Sequence, residues 1–215
     1  MVAVLTPSMR AKILLSKALP ILVFPYRCRL IVRHLARNFK DSIPWLFKSK
    51  AFFDRRIGWY SIVRTTRPSV VVETGAEKGL GSLMLAEALL KNRFVRLITI
   101  DMEPSSGLLI GEEYGGVIRR VIDDSLSANS NIDQIDQIDL FIHDSDHSAE
   151  HEAHEFDLLS TRLSDGGIVL SDNSHVTTEL TKWSFRHGRR FIYFAEQPLN
   201  HWYPGAGIGV SMKGL

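Results

Sequence analysis

The sequence predicts an α/β fold: a mostly parallel sheet covered by helices on both faces, built from residues 68–215, with a helical cap in residues 1–67. Three observations carry this. Short β-branched runs such as "SVVVET", "VRLITID", "LFIHD" and "GGIVLSD" are apolar on both faces, as strands buried in a parallel sheet are. Segments of helical periodicity separate them, which gives the alternation of strand and helix that covered parallel sheets require. The acids, glycines and histidines gather where the runs end, and in such sheets ligands bind beyond the carboxyl ends of the strands.

Taken in order, residues 9–40 read as helical, with Leu30, Ile31, His34 and Leu35 on one face and arginines between them. Pro44 and the aromatic group Trp45, Phe47, Phe52, Phe53, Trp59 and Tyr60 follow. Their apolar side is expected to lie on the main domain, as core filler rather than a substrate cage. "SVVVET" is the first strand and "GLGSLMLAEALLKN" the helix behind it, with Leu83, Ala86 and Leu90 in its apolar stripe. "VRLITID" and "GVIRRVIDDS" supply the next two strands. Ile132, Ile135 and Ile138 recur every three residues and suggest a helical turn. "LFIHD", the helix "SAEHEAHEFDLLSTRL", the strand "GGIVLSD" and the helix "TTELTKWSFRH" come next. "RRFIYFAE" and "GIGVSM" close the chain as strands joined through the Pro198–Pro204 loop.

Composition sets bounds on this reading. At 215 residues the chain suffices for one full core with an appendage. The net charge of +2 conceals an asymmetry: residues 1–67 hold 14 Lys+Arg against Asp41 and Asp54, leaving the remainder acidic. A basic segment on an acidic body implies intramolecular complementarity, an anionic partner or peripheral membrane contact. The single Cys28 excludes a disulfide framework and points to a reducing compartment, hence the cytoplasm. The apolar run Ile13–Tyr26 is interrupted by Lys17, Pro20 and Pro25 and is short of the roughly 20 residues that span a bilayer.

The chemistry lies at the strand ends. "ETGAEKGLG" sets Glu73 at the end of the first strand and Gly75, Gly79 and Gly81 before a helix, whose free N–H groups are donors suited to a nucleotide-like ligand. Asp101 stands about 20 residues on, the spacing at which a βαβ unit offers a carboxylate to ribose hydroxyls. "FIHDSDH" and "LSDNS" end the later strands with Asp144, His147, Asp172 and Asn173.

With these residues in view, the segment 68–195 resembles the class I S-adenosylmethionine-dependent methyltransferases, in particular the small-molecule O-methyltransferases that include macrolide sugar and catechol-type metal-dependent enzymes. The resemblance implies a Rossmann-like three-layer sandwich on a seven-stranded sheet with an antiparallel last strand. It implies that Glu73, Gly75 and Gly79 surround the methionine part of S-adenosylmethionine, that Asp101 takes the ribose, and that Asp124 and Ser125 take the adenine edge. Asp144, also counted at the cofactor, would hold Mg²⁺ or Mn²⁺ with Asp172 and Asn173, all hard oxygen ligands. His147 stands where catechol-type relatives place a lysine base and the sugar enzymes a histidine, so the resemblance makes it the catalytic base beside catalytic Asp144. Ala76, Glu77 and Lys78 replace the denser glycine run of many relatives.

The implied function is Mg²⁺-dependent O-methylation of a hydroxylated small molecule such as a sugar, glycoside or natural product, with homo-oligomer contacts assigned to the N-terminal cap. Two alternatives stay open: a glycosyltransferase reading "DSD" as a metal-binding DxD, and an inactive methyltransferase-like binding domain. A nicotinamide enzyme would want the tight G-x-G-x-x-G that "GAEKGLG" does not supply. A zinc hydrolase lacks an HExxH frame, and no base-flipping N/D-P-P-Y tetrad points to nucleic acid.

Overall fold

The computed structural model describes residues 50–93, 96–131, 137–195 and 207–213. The expected helix over 9–40, Cys28, Ile132, Ile135, the Pro198–Pro204 loop and His201 lie outside the described residues.

Helix α1 (Lys50–Thr66) leads into strand β1 (Val70–Thr74), helix α2 (Leu80–Asn92) and strand β2 (Arg96–Asp101). Strand β3 (Ile118–Ile122), helix α3 (Ser125–Asn131) and strand β4 (Ile138–His143) follow. Helix α4 (Ala149–Ser160), strand β5 (Leu163–Ser171), helix α5 (Glu179–Arg186) and strands β6 (Arg190–Ala195) and β7 (Gly207–Met212) complete the described α-helices and strands, with a short 3-10 turn at Glu112–Tyr114 between β2 and β3. Ile138 is therefore the first residue of a strand, not part of a helical turn. Its N–H donates to the Arg162 carbonyl (2.8 Å), so pairing across the sheet overrides the local three-residue period.

The sheet has the order β3-β2-β1-β4-β5-β7-β6. The first five strands run parallel, while β7 is antiparallel to both β5 and β6. β1 sits between β2 and β4, so the direction of winding reverses at its carboxyl end and opens a crevice there.

Both faces are buried because the strands carry apolar residues at successive positions. Val71, Leu97, Leu140 and Leu170 point into one core with Trp59 and Val63 of α1 and the apolar face of α2. Val72, Ile98, Phe141 and Val169 point into the other, against Phe156 and Leu159 of α4 and Leu180 and Trp183 of α5. Each fully buried side chain of this kind contributes about 1.5–3 kcal/mol relative to exposure.

The aromatic Trp59 is filler of the core, as expected of its segment. It lies 2% exposed among the α2 side chains. The contact is close because Gly81, in the first turn of α2, has no side chain: a Cβ there would sit 2.5 Å from Glu73 Oε1 and 2.5 Å from Trp59 Cζ3. Asn92, at the end of α2, ties the other end of the pair by donating to the Val63 carbonyl (2.8 Å).

Candidate active site

β1, β4 and β5 end side by side, and their hydrogen-bonded ladder runs one residue past the strand tips. The Asp144 N–H donates to the Thr74 carbonyl (3.0 Å) and the Asp172 N–H to the His143 carbonyl (2.9 Å). Asp144 and Asp172 therefore leave neighbouring strands at one level. Gly75, at φ +83°, occupies the left-handed region, and a Cβ on it would overlap the Asp144 carbonyl group. Glycine is required here because two backbones touch.

His147 reaches back from the loop before α4. Its Nε2 lies 3.0 Å from Asn173 Nδ2 and 3.8 Å from Asp144 Oδ1. Asn173 adopts φ +51°, a left-handed conformation that asparagine tolerates. Three of the residues expected at the metal and base positions thus meet across the tips of β4 and β5. Asp172, the fourth, is buried. The other acid of "DSD", Asp146, is exposed and turns back to accept the Ser148 N–H (2.8 Å) at the start of α4.

Beneath them lies a buried network that sequence reasoning missed. His143 Nδ1 is 2.5 Å from Glu155 Oε2, and His143 Nε2 is 3.2 Å from Glu152 Oε1. Thr74 donates to Glu155 Oε2 (3.1 Å), and Thr177 donates to Glu152 Oε2. Burial pulls the His143 pKa down, but the two flanking carboxylates outweigh it and raise it to about 9. Burial pushes the Glu152 and Glu155 carboxyls up, and the neighbouring histidine rings outweigh it and bring each down to about 2. His151, bonded to Glu155, is also raised. One signal was available in the sequence: Glu152, Glu155, Phe156 and Leu159 share helical spacing and form the buried face of α4.

The remaining expected residues line the same edge farther along. Glu73 is buried at the tip of β1 and accepts from the Ser82 hydroxyl. Gly79, at φ +89°, begins α2, and a Cβ on it would sit 2.8 Å from the Ile110 side chain. Asp101 ends β2 and accepts from the N–H groups of Glu77 (2.8 Å) and Glu103 (2.9 Å). Asp124 heads α3, accepting from the Leu126 (3.0 Å) and Ser127 (3.1 Å) N–H groups, as an N-cap does. Ser125 is buried with its hydroxyl 3.0 Å from His151 Nε2, which joins it to the Glu155 network. Of the other histidines, His175 and His154 are exposed, and His187 stacks on Trp183 at 4.5 Å.

Comparison with known proteins matches residues 72–174 to a family model described as "Methyltransferase domain". Among solved structures the chain is similar to a putative O-methyltransferase from Klebsiella pneumoniae, with TM-score 0.63 and 13% identity over 75% of this chain and 80% of that one. It is similar to the O-methyltransferase of tomaymycin synthesis from Streptomyces achromogenes, solved with S-adenosylmethionine, with TM-score 0.60, 14% identity and coverage of 75% and 80%. A methyltransferase from Geobacter sulfurreducens aligns with TM-score 0.58 and 17% identity over 74% and 77% of the two chains. No curated protein matches in sequence.

Proposed function

We propose that the chain, whose residues 72–174 match a methyltransferase domain, is a class I S-adenosylmethionine-dependent methyltransferase that methylates a hydroxyl group of a small molecule such as a sugar, glycoside or natural product. One observation carries the reading. Asp144, His147 and Asn173 converge across two adjacent strand tips, beside the crevice at the end of β1.

A set of hydrogen-bond acceptors suits the cofactor. Glu73, Asp101 and Asp124 present carboxylates at the tips of three neighbouring strands, and the amino, ribose and adenine groups of S-adenosylmethionine are hydrogen-bond donors. When bound, the cofactor supplies an activated methyl group on its sulfonium. Asp144, Asp172 and Asn173 offer two carboxylates and an amide oxygen, the hard set that suits Mg²⁺ or Mn²⁺. A divalent ion held there would lower the pKa of a hydroxyl next to it.

The chain's own share is to orient the acceptor and take its proton. His147 accepts that proton at Nε2. The resulting imidazolium lies between Asp144 Oδ1, 3.8 Å from Nε2, and Glu152 Oε1, 3.9 Å from Nδ1. The partial burial of His147 keeps bulk water from competing for the base.

A thermal-shift panel tests the reading. S-adenosylhomocysteine should stabilise the full chain by several degrees, while NAD and UDP-sugars, each with and without Mg²⁺ or Mn²⁺, should not. Stabilisation by a UDP-sugar alone would make the enzyme a glycosyltransferase, a reading weakened by Asp146 facing the α4 backbone.

A further inference from the structure

The buried network holds three atoms that its internal hydrogen bonds do not use. His143 Nε2, His147 Nδ1 and Glu152 Oε1 are all buried, and none has a hydrogen-bond partner among the described residues. They lie within 4.8 Å of one another. His143 Nε2 is 3.2 Å and His147 Nδ1 3.9 Å from Glu152 Oε1, although neither contact has the alignment of a hydrogen bond. Ligand atoms at zinc's usual bond lengths in a tetrahedral shell are about 3.4 Å apart, so these separations bracket what one ion would impose.

The atoms around the three are arranged as they are around metal ligands. The opposite nitrogen of His143 faces Glu155 at 2.5 Å, which fixes the ring and strengthens it as a donor. Glu155 is in turn held by Thr74 at 3.1 Å. The other oxygen of Glu152 is held by the Thr177 hydroxyl, leaving Oε1 aimed at the histidines. Two carboxylates stand against one fully buried imidazole, an arrangement that favours a cation there, either a proton on His143 or a metal ion that displaces it. The side chain of His147 is 22% exposed, so the cluster is not sealed from the crevice.

We propose that His143 Nε2, His147 Nδ1 and Glu152 Oε1 form a binding site for a divalent transition metal of the zinc and cobalt class, with one coordination position left open toward the crevice. Two imidazoles and a carboxylate select such ions over Mg²⁺, which prefers oxygen alone. The site is distinct from the oxygen set of Asp144, Asp172 and Asn173. Its consequence for catalysis rests on the function proposed above. With a metal on Nδ1, the proton of His147 resides on Nε2, and Asn173 turns its amide to accept it. A base that already carries its proton cannot take another, so the ion inhibits methyl transfer.

The experiment uses the full chain, free of any histidine tag and stripped with EDTA, titrated with Co²⁺ while visible absorption is recorded. The expected result is a band that saturates at one equivalent, is displaced by Zn²⁺ and is unaffected by excess Mg²⁺. Glu155→Gln should weaken Co²⁺ binding about 10–100-fold, as loss of a group that orients a ligand does. His147→Gln and Glu152→Gln should abolish the band. His147→Gln is the decisive variant because its side chain is partly exposed, and circular dichroism would verify its fold. No band in the wild type, or an unchanged band in folded His147→Gln, overturns the site. S-adenosylhomocysteine stabilisation without a Co²⁺ band sinks only the metal site; a band without that stabilisation sinks only the methyl-transfer reading.

Discussion

Glycine 75 shows how one missing methyl group shapes the crevice. A Cβ there would collide with the Asp144 backbone and hold a left-handed conformation as well. Gly75→Ala should therefore prevent folding or lower the melting temperature by well over 10 °C, given about 1–2 kcal/mol for the conformation alone and a larger steric term. Gly58 is the control, since it is exposed, lies inside α1 and has nothing within 4 Å of an added Cβ. Gly58→Ala should stabilise by about 0.5–1 kcal/mol, measured by urea denaturation. At the same scale, His147→Asn should lower kcat by about 100-fold or more, as loss of a general base does, with S-adenosylhomocysteine affinity unchanged.

The buried glutamates give the metal-free protein a defined response to acid. The Glu152 and Glu155 pKa values fall from 4.5 to about 2 on folding, so their contribution is complete above 4.5 and is lost as pH drops toward 2. The raised pKa of His143 acts with the opposite sign, adding stability below 6.5 that disappears as pH climbs through about 9. Melting curves in EDTA should thus decline on both flanks, and Glu155→Gln should flatten the acid flank.

Among the elements, α1 is fixed by packing rather than by its own pattern. Trp59 and Val63 are buried against α2 while much of the helix is polar. Trp59→Ala should cost about 3–5 kcal/mol in urea denaturation, the loss expected of a large core side chain. The buried strands were legible because β-branched runs are bounded by charge, and α2 because its Leu and Ala residues repeat at helical spacing. The start of β4 was not legible. Ile132, Ile135 and Ile138 set a local period of three, whereas the strand character of Ile138 comes from Arg162, distant in sequence.

For the molecule as a whole, the parallel order of the sheet followed from alternating strand and helix, and the expected candidate residues fall along one edge of it. Glu152 and Glu155 were hidden because a carboxylate on an amphipathic helix reads as solvent-facing until the fold shows what covers it. That edge collects acids at the tips of β1, β2, β4 and β5, so its field should favour a cation. Affinity for S-adenosylmethionine, which carries a sulfonium, should fall about twofold to fivefold between low and high salt. Affinity for S-adenosylhomocysteine, which lacks that charge, should change much less; calorimetry at two ionic strengths compares them.

The position of β7 between β5 and β6 has a consequence for how the protein is made. On the ribosome β6 is synthesised before β7, yet among the described residues it joins the sheet only through β7. Until residues 207–212 have emerged, the nascent chain carries an open ladder along β5 and an unattached β6, both able to pair with a neighbouring chain. During the interval between synthesis of these two strands, shielding by a chaperone should therefore limit pairing with other chains.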